Sequence, residues 1–322
     1  MGQVFIGGYL KSKGLWVQRR CVRDCLLRVD PDNRILRWGV VISRRAYFVP
    51  WPNSVWHLDG HHSLIRWGLV IHGCIDGFSR KIMFLKCSPN NYAETVLQLF
   101  TEAVELNHGL WPSRIRVDRG VENVLVCDLM VAVRGPGRGS FIAGPSTRNQ
   151  RIERLWRDVF RCICHHFYYV FYAMEQSGIL NMNSDLHLFV LHLVFLPRIN
   201  FALEEYLKMF NSHKIRTARH MTPNQLWTNG MLDPNNPLAT DKLDEDPEDL
   251  EHFAEDVPGP TPFDDSENNV IVEPIHFQGV EAIAARVLQG IDPMMDSVQM
   301  GIDVFTRAID IAEQHRDLDE QH

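Results

Sequence analysis

Cysteine is sparse in this chain, with seven in 322 residues, an odd number scattered along it. That excludes a small crosslinked scaffold and, with no secretory leader at the start, suits a reducing intracellular compartment. Ile6 stands where an N-myristoylation signal needs Ser or Thr. Long apolar runs are also missing. The longest, Leu186 to Leu196, is broken by His187 and His192 and meets Pro197. It is too short to span a bilayer, so no membrane partner is expected. Residues 1–50 lack the paired Cys/His pattern of a zinc finger, since Cys21 and Cys25 have no downstream histidine pair. Cys162, Cys164, His165 and His166 crowd one helical segment, where adjacent side chains point to different faces, and this argues against a zinc site.

The charge is unevenly spread. Residues 1–240 hold 29 Lys+Arg against 18 Asp+Glu, a balance of +11, while residues 241–322 hold 4 against 22, a balance of −18. A basic body suits a polyphosphate partner through counterion release. An acidic tail is more often solvated, though it can also compete with nucleic acid for the basic surface. With 45% hydrophobic residues the chain can bury a large core.

Three acids stand in settings that suit metal ligation. Asp59 closes WPNSVWHLDG, Asp118 ends the strand-like RIRVD, and Glu153 lies in the helix-like NQRIERLWRDVF. Carboxylates are hard oxygen ligands, and a few of them with substrate phosphates are the usual way to hold Mg²⁺. Each acid alone could be an ordinary surface residue; the joint pattern is what points to a site. Asp76 is read as shaping the turn before Phe78, and Glu122 as sitting at a helix N-terminus. His57 and His61 share a strand face with Asp59. No Tyr or Ser stands out as a covalent nucleophile.

These segments, in this order, resemble the integrase core of retroviral-type integrases and DDE transposases, over about Pro50 to Trp227. The resemblance rests on PNSVWHLDG, GCIDGFSRKIMFLK, SRIRVDRGVEN, NQRIERLWRDVF, FLPRIN and the closing TPNQLW. Glu153 follows Asp118 by 35 residues, close to that family's spacing, and Arg148 before Asn149 is a small departure. More narrowly, the chain is similar to integrase-core proteins of eukaryotic genomes derived from mobile elements. The resemblance implies an α/β, ribonuclease-H-like fold with a mixed sheet flanked by helices. It also implies Asp59, Asp118 and Glu153 as catalytic metal ligands for Mg²⁺ or Mn²⁺, as two ions. Divalent-metal-dependent phosphodiester cleavage and strand transfer on DNA would follow, by a homo-oligomer holding two DNA ends, in the nucleus. Two alternatives stay open: a catalytically silent DNA-binding or scaffold protein with the same fold, and a nuclease acting on RNA in hybrids.

The chain divides into four expected parts. Residues 1–49 read as a helix-turn-helix-like DNA-binding segment, turning at Gly14. Val17, Cys21, Leu26 and Val29 would face inward, with Gln18, Arg19, Arg20 and Arg23 outward toward DNA. Residues 50–230 form the core, with a strand Val55–Leu58, strands at 68–75 and 81–86, a helix from Asn90 or Asn91 to Leu106, strand 115–117, helix 121–133 and a short strand 141–143. The loop from Arg134 to Arg148 has four glycines, two prolines and three arginines, which suits mobility and phosphate contact by Arg138 and Arg148. Arg154 and Arg157 on the Glu153 helix are further candidates, Arg157 equally as an i,i+4 partner of Glu153. A helical pattern covers 186–210. Residues 231–278 read as an acidic disordered linker, and 279–322 as one C-terminal amphipathic helix.

Overall fold

The computed structural model describes residues 3–29, 47–118, 120–144, 149–244, 253 and 271–319. Five strands form one mixed sheet: β1 (Val55–His61), β2 (Val70–Asp76), β3 (Ile82–Ser88), β4 (Arg114–Val117) and β5 (Phe141–Ala143), in the order β3-β2-β1-β4-β5. The β1–β2 and β2–β3 pairs are antiparallel, and β1–β4 and β4–β5 are parallel. This is the ribonuclease-H-like arrangement that the motif order implied.

Period-two alternation distributes the side chains. Trp56 and Leu58 of β1, with Ile115 and Val117 of β4, pack on one face against α3 (Ala93–Leu106) and α4 (Val124–Arg134). The opposite face meets α5 (Gln150–Val159), α6 (His165–Gln176) and α7 (Asp185–Ser212) in a larger core around Trp67, Trp156, Phe171 and Phe195. Every residue of β2 is buried because both faces are covered.

Two turns show how local chemistry sets the frame. Asp76 caps the β2–β3 turn as expected: Oδ2 accepts from Ser79 N (2.7 Å) and Oγ (2.6 Å), and Oδ1 from Asn53 N (3.0 Å). TPNQLW forms a capping box at α8 (Pro223–Met231), Thr222 and Gln225 exchanging side-chain bonds with each other's backbone. At α3 the expected asparagine cap is replaced. Tyr92 is the N-cap with no side-chain bond, and Asn90 accepts instead from Tyr92 N and Thr95 Oγ1.

Several expectations are revised. The helix expected over 186–210 is present and slightly longer, 28 residues with Pro197 inside it. By length and composition alone that helix could cross a membrane. Burial of Leu186, Val190, Val194, Leu203 and Tyr206 keeps it continuous despite the backbone bond proline removes. The expected single C-terminal helix is two, α9 (Val280–Gly290) and α10 (Ile302–Asp319), both packed into the α7 core through Ile283, Val287, Phe305 and Ala308. Residues 231–244, assigned to the acidic linker, include a 3₁₀ turn at Pro237–Thr240 that buries Leu238, with Asn236 accepting from Leu238 N. Phe253 packs beside Val49 and Val55. The rest of that linker lies outside the described residues, apart from 271–278.

At the N-terminus α1 (Gln3–Ser12) and α2 (Arg19–Val29) flank Gly14, which takes a positive φ. The expected inward set is wrong: Val17, Cys21 and Val29 are exposed, while Val22 of α2 is buried. The reason is that α2 meets α1, while α1 is what docks on α7. Phe5 stacks on His213 (4.5 Å between centroids) and meets Tyr206 and Phe210. Gly8 makes the approach possible, since a Cβ there would lie 2.9 Å from the His213 backbone.

Candidate active site

β1 runs past Asp59 to His61, so the first acid lies within the strand, opposite Gly73 of β2. The parallel register His57↔Arg116, continued by two residues, places Asp59 beside Asp118 just beyond β4. The same two-residue step leaves both on one face of the sheet. α5 crosses that face and carries Glu153 in its first turn. Burial pushes the Asp59 carboxyl well above its usual range, and the charges of Glu153 and Asp118 push it further. Asp59 therefore feels the charge of both other acids.

Each aspartate is held by donors. Asp59 Oδ2 accepts from Trp156 Nε1 (2.8 Å) and Oδ1 from Gly60 N (2.9 Å). Asp118 Oδ1 accepts from Asn123 Nδ2 (2.8 Å) and Gly120 N (3.1 Å), and Oδ2 receives neither. Glu122 starts the 3₁₀ turn before α4, as expected, with its carboxylate folded back over Gly120 and near Gly60.

Two residues that sequence reasoning left without a role fasten the glutamate helix to the aspartate strand. Asn149, the residue before α5, is 1% exposed. Its Nδ2 donates to Leu58 O (2.8 Å), so its Oδ1 accepts from His57 Nδ1 (2.7 Å). His57 Nε2 is then the acceptor for the Tyr47 hydroxyl (2.8 Å). Burial pushes His57 down to about 3, which keeps the ring neutral and fixes this tautomer. The Arg151 guanidinium sits 3.6 Å from the Tyr47 ring centroid. Trp156 is the second fastener, donating to Asp59 and stacking on His61 (5.2 Å). A Cβ on Gly73 would lie 2.5 Å from Trp156 Cη2, so only glycine there admits the indole. Both residues stand in NQRIERLWRDVF, the segment that carries Glu153, Arg154 and Arg157.

The donor set suits a hard divalent cation: Asp59 feels the charges of Glu153 and Asp118, and a cation would relieve that repulsion. Among the described residues, however, no three His, Cys, Asp or Glu side chains are gathered closely enough to hold an ion as they stand. Ligation by all three requires the acids to draw closer together. Cys164 is buried and its thiol is pushed up to about 12 by burial, which withholds the thiolate a metal needs.

The other candidates separate. Gln18, Arg19, Arg20 and Arg23 are exposed on and before α2. Arg154 and Arg157 are half-buried on α5. Arg138 points away from the acids, donating to Ser113 O (3.2 Å), Ser113 Oγ (3.0 Å) and Asp244 (3.5 Å). Arg148 lies outside the described residues.

The integrase core domain family model matches residues 46–240. No curated protein matches the sequence. Among solved structures, the integrase catalytic core domain of HTLV-2, in complex with magnesium and in a trimeric form, aligns at 14% identity and a TM-score of 0.36, covering 55% of this chain and 97% of that one.

Proposed function

Since the chain belongs to the integrase core domain family, we propose that it is a polynucleotidyl transferase that cuts and joins DNA with the help of Mg²⁺ or Mn²⁺. The observation that carries this reading is the meeting of Asp59, Asp118 and the Glu153 helix on one sheet face, with Asn149 and Trp156 fastening that helix to β1.

Asp59, Asp118 and Glu153 would hold the ions. Divalent ions there supply Lewis acidity at the phosphate and a lowered pKa for an attacking water or DNA 3′-hydroxyl. The residues of the chain do the rest. Trp156 fixes the orientation of Asp59, and Asn123 and Gly120 fix that of Asp118. Asn149 sets where α5 begins, and so where Glu153 stands. Gln18, Arg19, Arg20 and Arg23 on the projecting N-terminal helix, with Arg154 and Arg157 on α5, supply phosphate contacts. Two DNA ends joined in one reaction call for a homo-oligomer, and DNA as substrate places the protein in the nucleus.

The test is nicking and strand transfer on labelled DNA with Mg²⁺ or Mn²⁺, comparing the wild type with Glu153→Gln. Metal-dependent activity lost in the variant supports the enzyme. Salt-sensitive DNA binding without cutting, equal in both proteins, would replace it with the silent binding module.

A further inference from the structure

The first acids beyond the core are folded into it, against three arginines. Asp244, whose side chain is 6% exposed, accepts at Oδ1 from Arg114 Nη1 (3.0 Å), from Arg138 Nη2 (3.5 Å) and from the Ser113 hydroxyl. Three residues earlier Asp241 accepts from Arg134 Nη2 (2.7 Å). Arg134 is itself aimed by the carbonyls of Pro112 (3.0 Å) and Trp111 (2.6 Å). The Phe253 carbonyl accepts from Arg116 Nη2, and its ring lies 5.8 Å from the Arg114 guanidinium carbon.

Arg114 and Arg116 are almost wholly buried, at inward positions of a four-residue strand where aliphatic side chains would serve the core as well or better. Replacing a buried ion pair by well-packed apolar groups is often neutral or stabilising, so stability alone does not explain these charges. The guanidinium fork matches phosphate as well as it matches carboxylate. Position on the strand adds to this. Arg114, Arg116 and Asp118 follow one another at two-residue steps along one face of β4, the first about 13 Å from the last at strand rise. A phosphate backbone following that line would run toward the acids.

We propose that Arg114, Arg116, Arg134 and Arg138 form a second phosphate-binding strip for nucleic acid, occupied in cis by Asp241, Asp244 and the Phe253 carbonyl and vacated when nucleic acid binds. The chain thus carries its own carboxylate stand-in for the phosphate backbone. The inference rests on the nucleic-acid reading above and extends it to a self-blocked surface.

The experiment uses the full chain, a fluorescein-labelled 20-mer DNA without chosen sequence, and two readouts. In anisotropy titrations across salt, Asp241→Asn/Asp244→Asn should bind about tenfold tighter than wild type. Its log–log salt slope should steepen by about one to two, at roughly 0.9 per phosphate contact. In hydrogen exchange on the wild type, DNA should lower the protection of residues 241–244. Should the variant fail to fold, the wild-type exchange decides. Unchanged protection with DNA demonstrably bound, or equal affinity and slope in wild type and folded variant, overturns the strip while leaving the nucleic-acid reading intact. No binding by either protein overturns both.

Discussion

Replacing Asn149 by alanine should loosen the candidate site from beneath without touching any of its acids. The side chain makes no cap bond to its own helix; it spends both its bonds on β1, at 2.7 and 2.8 Å. Alanine leaves the Leu58 carbonyl and the His57 Nδ1–H buried without their partner. An unsatisfied buried group costs about 1–3 kcal/mol, so the pair should cost about 2–4 kcal/mol. That is survivable against a domain stability of about 5–15 kcal/mol. For a chain of this size about 2–4 °C is lost per kcal/mol, so the melting temperature should fall by about 5–12 °C. Mg²⁺ should also protect the variant less against thermal unfolding than it protects the wild type, because Glu153 begins one turn beyond the lost anchor. Calorimetry with and without Mg²⁺ reads both. A variant melting within about 1 °C of wild type, with equal Mg²⁺ stabilisation, would refute the idea that this asparagine fastens the glutamate helix.

Gly73→Ala should push the Trp156 ring away from Asp59, since the new Cβ would stand 2.5 Å from Cη2; about 1–3 kcal/mol of overpacking should appear in a denaturant melt, and a normal melt would show that the ring simply slides. Asp76 is raised to about 6 by burial against its ordinary 3.8. The native state thus binds its proton more tightly than the unfolded chain, and this contribution is full below about pH 4 and lost as pH rises through about 6. Asp76→Asn should flatten that part of the pH–stability curve while costing about 1–3 kcal/mol for the misplaced amide hydrogens, and an unchanged curve would assign the slope to another group. Gly8→Val should detach α1 from α7, because backbone stands 2.9 Å from its Cβ; amide exchange over residues 3–12 should rise toward unprotected rates while the sheet keeps its protection.

Local patterns announced much of this molecule because local chemistry produces them. Short apolar runs made the strands readable, and Asp76 before Gly77 spelled a turn. The settings of Asp59, Asp118 and Glu153 were legible for the same reason, each being an acid where a hydrophobic element ends or turns outward. The N-terminal helix pair was legible too, but its inward face was not. Amphipathic spacing tells which residues share a side, and only the docking of α1 on α7 decides which side of α2 meets anything. The helix over 186–210 was legible across Pro197, whose local cost is outweighed by burial along α7.

The sequence by itself determined the order of strands and helices, the three acids and the division between a basic body and an acidic end. Hydrophobic period, turn chemistry and charge are properties of neighbouring residues. The tertiary structure alone decided what holds those acids in place and what the acidic end does. Asn149 reaches His57 across 92 residues and Trp156 reaches Asp59 across 97. Asp244 finds Arg114 across 130. Pairings at such separations depend on which surfaces the core brings together, and no local pattern encodes them.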